Sequence, residues 1–261
     1  IASSRSSLID ILKLLEQPLS THTIYEPPVP FDFMDEIRLD HVDFRYETRD
    51  SMILNNVNLV IKKGSQIGFI GSTGSGKSTM LDIIMGLIAP TRGKLLIDGN
   101  EINPENSFLW QKNIAHVPQQ IFLSDSSIAD NIAFGIEKNK IDISRVEKAA
   151  EKAKISELIN SWEEGYNTNV GEYGVKLSGG QCQRIGIARA LYKDASILIF
   201  DEATSALDNL TEQEVMKEIT ELSKDLTVFI IAHRLSSLNC CTDIIELKEI
   251  VKSQKLKLKL K

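Results

Sequence analysis

At 261 residues, 42% hydrophobic and 25% charged, the chain has an ordinary globular composition and enough length for a substantial core. A formal net charge of -6 argues against a general nucleic-acid-binding surface, and no stretch approaches the roughly 20 apolar residues that span a bilayer, so nothing in it crosses a membrane unaided. Cys182, Cys240 and Cys241 have neither metal-ligand spacing nor the pattern of a disulfide framework, which suits a reducing, cytosolic setting.

Leu8, Ile9, Ile11, Leu12 and Leu15 stand at amphipathic helical spacing that stops before Pro18. Pro27, Pro28 and Pro30 follow in a stretch without periodicity, so residues 1–35 read as a helix and a connector. A start at Ile1 without a signal peptide's apolar core suggests a piece of a longer polypeptide. The pattern then turns to alternation, through Ile37, Leu39, Val42, Phe44 and Tyr46 and again through Ile53, Leu54, Val57, Leu59 and Ile61, with Lys63-Gly64 as a turn. These are strands of an antiparallel layer, to which Leu95-Leu96-Ile97 and the turn Asp98-Gly99 return.

Between them, Gly71-Ser72-Thr73-Gly74-Ser75-Gly76-Lys77-Ser78-Thr79 fits the phosphate-binding pattern G-x-x-x-x-G-K-[ST] at each fixed position. Ile67, Phe69 and Ile70 form a short apolar strand before it, and Met80, Leu81, Ile83, Ile84, Leu87 and Ile88 recur at helical spacing after it. The competing reading is a glycine-rich turn that binds nothing. Strand, loop and helix in this order favour phosphate, because glycines let backbone N–H groups converge on an oxyanion and the helix adds its positive end. Lys77 would reach the β- and γ-phosphates and the Ser78 hydroxyl would ligate Mg²⁺.

Ile114-Ala115-His116-Val117 is a buried-strand candidate, and residues 121–162 read as mainly helical, with Val146, Ala149, Ala150, Ala153 and Ile155 among charged residues. After Val170-Gly171-Glu172-Tyr173-Gly174 comes Leu177-Ser178-Gly179-Gly180-Gln181, in which Ser178 is suited to cap a helix whose free amides would face a second anion. Ile197-Leu198-Ile199-Phe200 is a continuous apolar run of the kind found in central parallel strands, ending in Asp201-Glu202. Val228, Phe229, Ile230 and Ile231 form another, ending near His233. The alternating Lys and Leu of residues 255–261 are either an edge strand or a basic tail, with a solvated tail preferred.

Taken in order, these motifs resemble the nucleotide-binding domain of ABC transporters, in the exporter branch. The resemblance covers about residues 36–247 and rests on the phosphate loop, the Leu177–Gln181 signature, the strand ending in Asp201-Glu202, the D-loop Ser205-Ala206-Leu207-Asp208 and the switch histidine His233. It implies an α/β P-loop NTPase core (RecA-like), an antiparallel β subdomain and an inserted helical subdomain at about 121–190; after Leu247 the family's usual glycine turn and acidic helix are not recognisable, and residues 248–261 read as a basic tail. It further implies ATP and Mg²⁺ as cofactors. Asp201, Ser78 and Gln119 would hold the metal, with Gln120 the alternative if the register differs, and Glu202 would be the general base. His233 would contact the γ-phosphate, and Tyr46 would stack on adenine, its competing role being strand packing.

The family pattern has ATP covered by Ser178, Gly179, Gly180 and Gln181 of a second cassette, with Asp208 at that contact. A homodimer and a membrane domain joined through the N-terminal segment are the implied partners, and the cytoplasmic face of a membrane the implied location. Glu172 stands where exporters carry an acidic residue that meets the membrane domain, although Tyr173 replaces the usual basic or polar neighbour and a purely structural loop competes. Cys182 replaces a common basic residue after the signature, a departure that weakens the positive field there. The alternative function, a soluble ABC-type ATPase acting on nucleic acid or the ribosome, usually brings a long coiled-coil insertion or two tandem cassettes; this chain has neither.

Overall fold

The computed structural model describes residues 8, 9, 12, 31–46, 51–72, 74–203, 207–221, 226–231, 238, 241–247, 259 and 260. Its first half runs β1 (Glu36–Phe44), β2 (Leu54–Lys62), β3 (Gln66–Ile70), α1 (Lys77–Ile84), β4 (Arg92–Ile97), β5 (Asn100–Ile102), α2 (Ser107–Gln111) and β6 (Ile114–Val117). A helical stretch follows, with α3 (Ile128–Ile132), α4 (Ile143–Lys152), α5 (Ser156–Asn160) and α6 (Gly179–Lys193). The chain then completes β7 (Ile197–Asp201), α7 (Asn209–Glu221), β8 (Thr227–Ile231), β9 (Asp243–Glu246) and β10 (Lys259–Leu260).

Two sheets carry the fold. The smaller is antiparallel with order β2-β1-β4-β5, and the larger has order β10-β9-β3-β8-β7-β6. In the larger sheet all pairs from β9 to β6 are parallel, while β10 lies antiparallel on β9, Lys259 opposite Ile244. Strict alternation in β1 and β2 is interrupted by two non-glycine residues at positive φ, His41 (48°) and Asn56 (50°), where the register slips. Such bulges shift which residues face inward, which is why Leu39 and Val42, three apart, are both buried. The turn at Lys63-Gly64 leads from the small sheet into β3 of the large one.

The uninterrupted apolar runs of β7 and β8 follow from burial on both faces. Ile197, Ile199, Phe229 and Ile231 point into a core shared with α1 and the small sheet. Leu198, Phe200, Val228 and Ile230 point into the opposite core, built with α3, α4 and α6. The phosphate-loop helix and the signature helix therefore pack against opposite faces of the large sheet. Within residues 121–162, helix begins only at Ile128. The preceding loop is held by Asn131, whose Oδ1 accepts from Ser124 N–H (2.9 Å) and whose Nδ2 donates to Ser124 O (3.0 Å), side-chain bonds that compete with helical ones.

Of the N-terminal segment, Leu8, Ile9 and Leu12 are helical and exposed. Thr73, Ser205, Ala206, His233, Cys240, most of the connector and most of the tail lie outside the described residues. Among the described residues no helix is long and apolar enough to cross a membrane.

Candidate nucleotide site

The phosphate loop leaves β3 at its C-terminal end and enters α1 with Gly76 as N-cap at φ 95°. A Cβ at Gly76 would come within 3.0 Å of the Ile53 side chain, so both the backbone angle and the packing against the small sheet require glycine there. The Ser75 hydroxyl is buried and makes no hydrogen bond, an orphan inside a loop of backbone donors that a bound oxyanion would satisfy. Lys77 is 7% exposed, and its Nζ donates to Gly71 O (2.8 Å) and Ser72 O (3.2 Å), which places the amine across the loop. Ser78 is exposed in the first turn of α1. Tyr46, just past the end of β1, reaches the same turn: its hydroxyl lies 3.4 Å from Thr79 Oγ1 and its ring stands edge-on to Phe44.

Asp201 and Glu202 end β7. Burial pushes the Asp201 carboxyl above its usual range, with Glu202 adding to the rise and His116 and Lys77 opposing it. Glu202 adopts φ 53° while its N–H donates to Ile231 O (3.0 Å), a left-handed backbone held in place by the neighbouring strand end. Gln119, from the loop after β6, donates through Nε2 to Glu202 Oε2 at 2.9 Å. Gln119 thus reaches one of the two strand-end acids.

Two groups nearby escaped the sequence reading. Asp82, one turn beyond Ser78 on α1, and His116 on β6 both interact electrostatically with Asp201. Burial raises the Asp82 carboxyl and lowers the His116 imidazole. Their signals were available in part: Asp82 is four residues from Ser78, and His116 pairs with Ile199, two residues before Asp201 on the same face. Among the described residues no three His, Cys, Asp or Glu side chains group closely enough to hold a metal by themselves. The half-buried Asp201 carboxylate, with the Gln119 carboxamide on the adjacent Glu202, nonetheless offers oxygen donors of the kind that suit a hard cation sharing its remaining positions with phosphate oxygens.

The signature segment forms a second capped helix end. Ser178 caps α6, its Oγ accepting from Gln181 N–H (3.3 Å) while Gln181 Oε1 accepts from Ser178 N–H (2.8 Å), a complete capping box. Leu177 packs against the helical core, while Ser178 and Gly179 are exposed and Gly180 is half-buried. Asp208 is engaged locally: its carboxylate accepts from the N–H groups of Leu210 and Thr211 and from the Thr211 hydroxyl, bonds that hold it below the usual carboxylate range. Cys182 sits beneath the 172–174 turn, where burial pushes its thiol up.

A family model described as ABC transporter matches residues 54–205, more than half of the chain. The chain belongs to the ABC transporter family. It is the ATP-binding ATPase part of such a protein, a P-loop NTPase fold with one antiparallel and one largely parallel sheet. The cassette is 38% identical over 214 residues to an ATP-dependent lipid A-core flippase of Ralstonia nicotianae, covering 82% of this chain and 36% of that protein. It is 43% identical over 214 residues to the alpha-hemolysin translocation ATP-binding protein HlyB of Escherichia coli O157:H7, covering 82% of this chain and 30% of that one. The cassette thus spans about a third of the length of these curated relatives. A solved bacterial Atm1-family ABC exporter with ATP bound matches it with TM-score 0.81 at 34% identity, over 93% of this chain and 43% of the other.

Proposed function

We propose that this cassette hydrolyses ATP with Mg²⁺ at sites completed by a second copy of itself, and so powers export through a membrane domain on whose cytoplasmic side it sits. The observation that carries the reading is the placement of two anion-facing helix ends, at Gly76–Lys77 and at Ser178–Gly179, on opposite faces of one sheet. One chain supplies two half-sites, and a two-fold dimer turns them into two whole ones.

In this reading Lys77 and the amides from Gly71 to Thr79 bind the β- and γ-phosphates, and Tyr46 stacks on adenine. Ser78, Asp201 and Gln119 hold Mg²⁺, which when bound neutralises charge on the transferred phosphoryl group. Glu202, oriented by the Gln119 amide, accepts a proton from the attacking water. His233 would contact the γ-phosphate, as the resemblance implies. Ser178, Gly179, Gly180 and Gln181 cover the nucleotide of the partner cassette, with Leu177 anchoring them to the helical core and Asp208 holding the D-loop to α7. Because ATP is part of the contact, it stabilises the closed dimer by mass action, and hydrolysis removes that link.

Export is supported by the named relatives, a flippase and a translocation protein, and by the exporter neighbour. Similarity leans toward lipid-linked sugar or polysaccharide as cargo, selected by membrane helices beyond this cassette. The membrane domain would rest on an exposed aromatic row, Phe122, Phe134 and Tyr173, whose rings meet edge to face at 6.3 Å and 5.7 Å beside Glu172. No nucleic-acid partner is proposed. The test is Glu202→Gln: ATP binding persists and dimer accumulates, while turnover falls by about 10²–10⁴. Turnover like that of the parent cassette would remove Glu202 from the base role.

A further inference from the structure

Helix α1 carries Ser78 and Asp82 four residues apart, which sets them on one face with about 6 Å between them along the axis. Two strands of the large sheet meet that helix. In β6 and β7, His116 stands opposite Ile199, and Ile114, Ile197 and Ile199 all turn toward the core that α1 shares. By the alternation of a strand, His116 and Asp201 turn the same way. Asp82 interacts electrostatically with both, so it lies on the Asp201 side of α1, one turn on from Ser78.

Nothing in the fold calls for a carboxylate at this position. Asp82 is half-buried, the Asp201 charge repels it, and it lies in the last turn of α1, where the helix dipole disfavours negative charge. Burial and the Asp201 charge together raise its carboxyl above the usual range, with only the attraction of His116 opposing them. Among the described residues its side chain makes no ion pair and accepts no hydrogen bond that would repay those costs. A charge that strains the empty cassette, beside a site proposed to hold a cation, points to what that site binds.

We propose that Asp82 is a second carboxylate for the divalent cation, a positioning residue that acts from the helix side while Ser78 and Asp201 hold the ion, and that sets how tightly the cassette retains it. The inference rests on the proposed Mg²⁺ site and adds to it a residue outside the ligand set. Mg²⁺ keeps several of its waters and gives them up reluctantly, so a carboxylate beyond the inner positions acts on it through that water shell. Asp82, Asp201 and His116 do not group closely enough to hold a metal by themselves, which suits this outer role. The dication supplies the counter-charge that both strand-end and helix carboxylates lack, and losing an outer partner of this kind lowers metal affinity by about 10–100-fold.

The test uses Mn²⁺ as the probe, its free concentration read by electron paramagnetic resonance, in the cassette saturated with a non-hydrolysable ATP analogue. Asp82→Asn should weaken Mn²⁺ binding about tenfold or more, leave the nucleotide Kd measured in EDTA within about twofold, and raise the urea midpoint of the nucleotide-free cassette. A merely structural role would lower stability and metal affinity together. Asp82→Glu, which keeps the charge, should recover most of the Mn²⁺ affinity; a Glu variant as weak as Asn would overturn the charge argument. Unchanged Mn²⁺ affinity in Asp82→Asn, while Asp201→Asn loses it, would overturn the inference and leave the metal site intact. Unchanged affinity in both variants would overturn the metal site as well. Equal losses of Mn²⁺ and of metal-free nucleotide in Asp82→Asn would trace the effect to a displaced phosphate loop and overturn the outer-carboxylate role.

Discussion

Ser178 has two separable jobs, and two substitutions pull them apart. As the cap of α6 it supplies one acceptor, to Gln181 N–H at 3.3 Å, and its own N–H is held by Gln181 Oε1 at 2.8 Å. Ser178→Ala deletes the first bond and weakens the reciprocal one, which for an exposed cap costs about 1 kcal/mol and, for a domain of this size, about 2–4 °C in Tm. Ser178→Asp keeps an acceptor in the same place and should stay within a few tenths of a kcal/mol of the parent. Its charge, however, stands at a helix end proposed to cover phosphate. A like charge within about 5 Å of phosphate costs about 3 kcal/mol at an effective dielectric of ~20, a factor of ~100 in closure.

The assay pairs thermal unfolding without nucleotide with ATP-dependent dimerisation of each variant. Ser178→Ala should be less stable and dimerise modestly less well, whereas Ser178→Asp should be as stable as the parent and fail to dimerise. An unchanged Tm for Ser178→Ala would refute the capping argument. Dimerisation of Ser178→Asp at parental ATP concentrations would refute the composite site.

Lys77→Ala should weaken ATP binding by about 10–100-fold, the equivalent of one charge-assisted hydrogen bond, and calorimetric titration giving an unchanged Kd would exclude its amine from the phosphate site. Asp82→Asn should stabilise the nucleotide-free cassette near neutral pH. The Asp82 carboxyl is raised in the fold, so its ionised form opposes folding above that raised value, and the gain should fade as pH drops through it toward about 4. Urea unfolding that shows a pH-independent difference would contradict this. Trp110→Phe should cost about 1–3 kcal/mol, because the fully buried indole donates to Ile84 O at 2.7 Å and Phe leaves that carbonyl unpaired; a urea midpoint unmoved by the change would refute the bond's role.

The elements that the sequence made legible are those whose cause is local. Strand, glycine loop and helix at residues 66–84, the cap at Ser178 and the two apolar runs of β7 and β8 each depend on residues within a few positions of one another. Within the mainly helical stretch of residues 121–162, residues 121–127 stay out of helix because Asn131 bonds the backbone of Ser124 and Ser127 sideways, a preference that apolar spacing does not register. The slips at His41 and Asn56 were hidden for a related reason: a bulge changes the facing of residues without changing their composition.

What the chain determined unaided is therefore the pair of helix ends at Gly76–Lys77 and Ser178–Gly179 and the acids at the close of β7. Tertiary structure alone decided their company. It set α1 and α6 on opposite faces of the sheet, brought Gln119 to Glu202 across 83 residues, and gathered Asp82 and His116 around Asp201. The physical reason is range: propensity, capping and periodicity act over one or two turns, whereas charge and burial depend on which strands become neighbours.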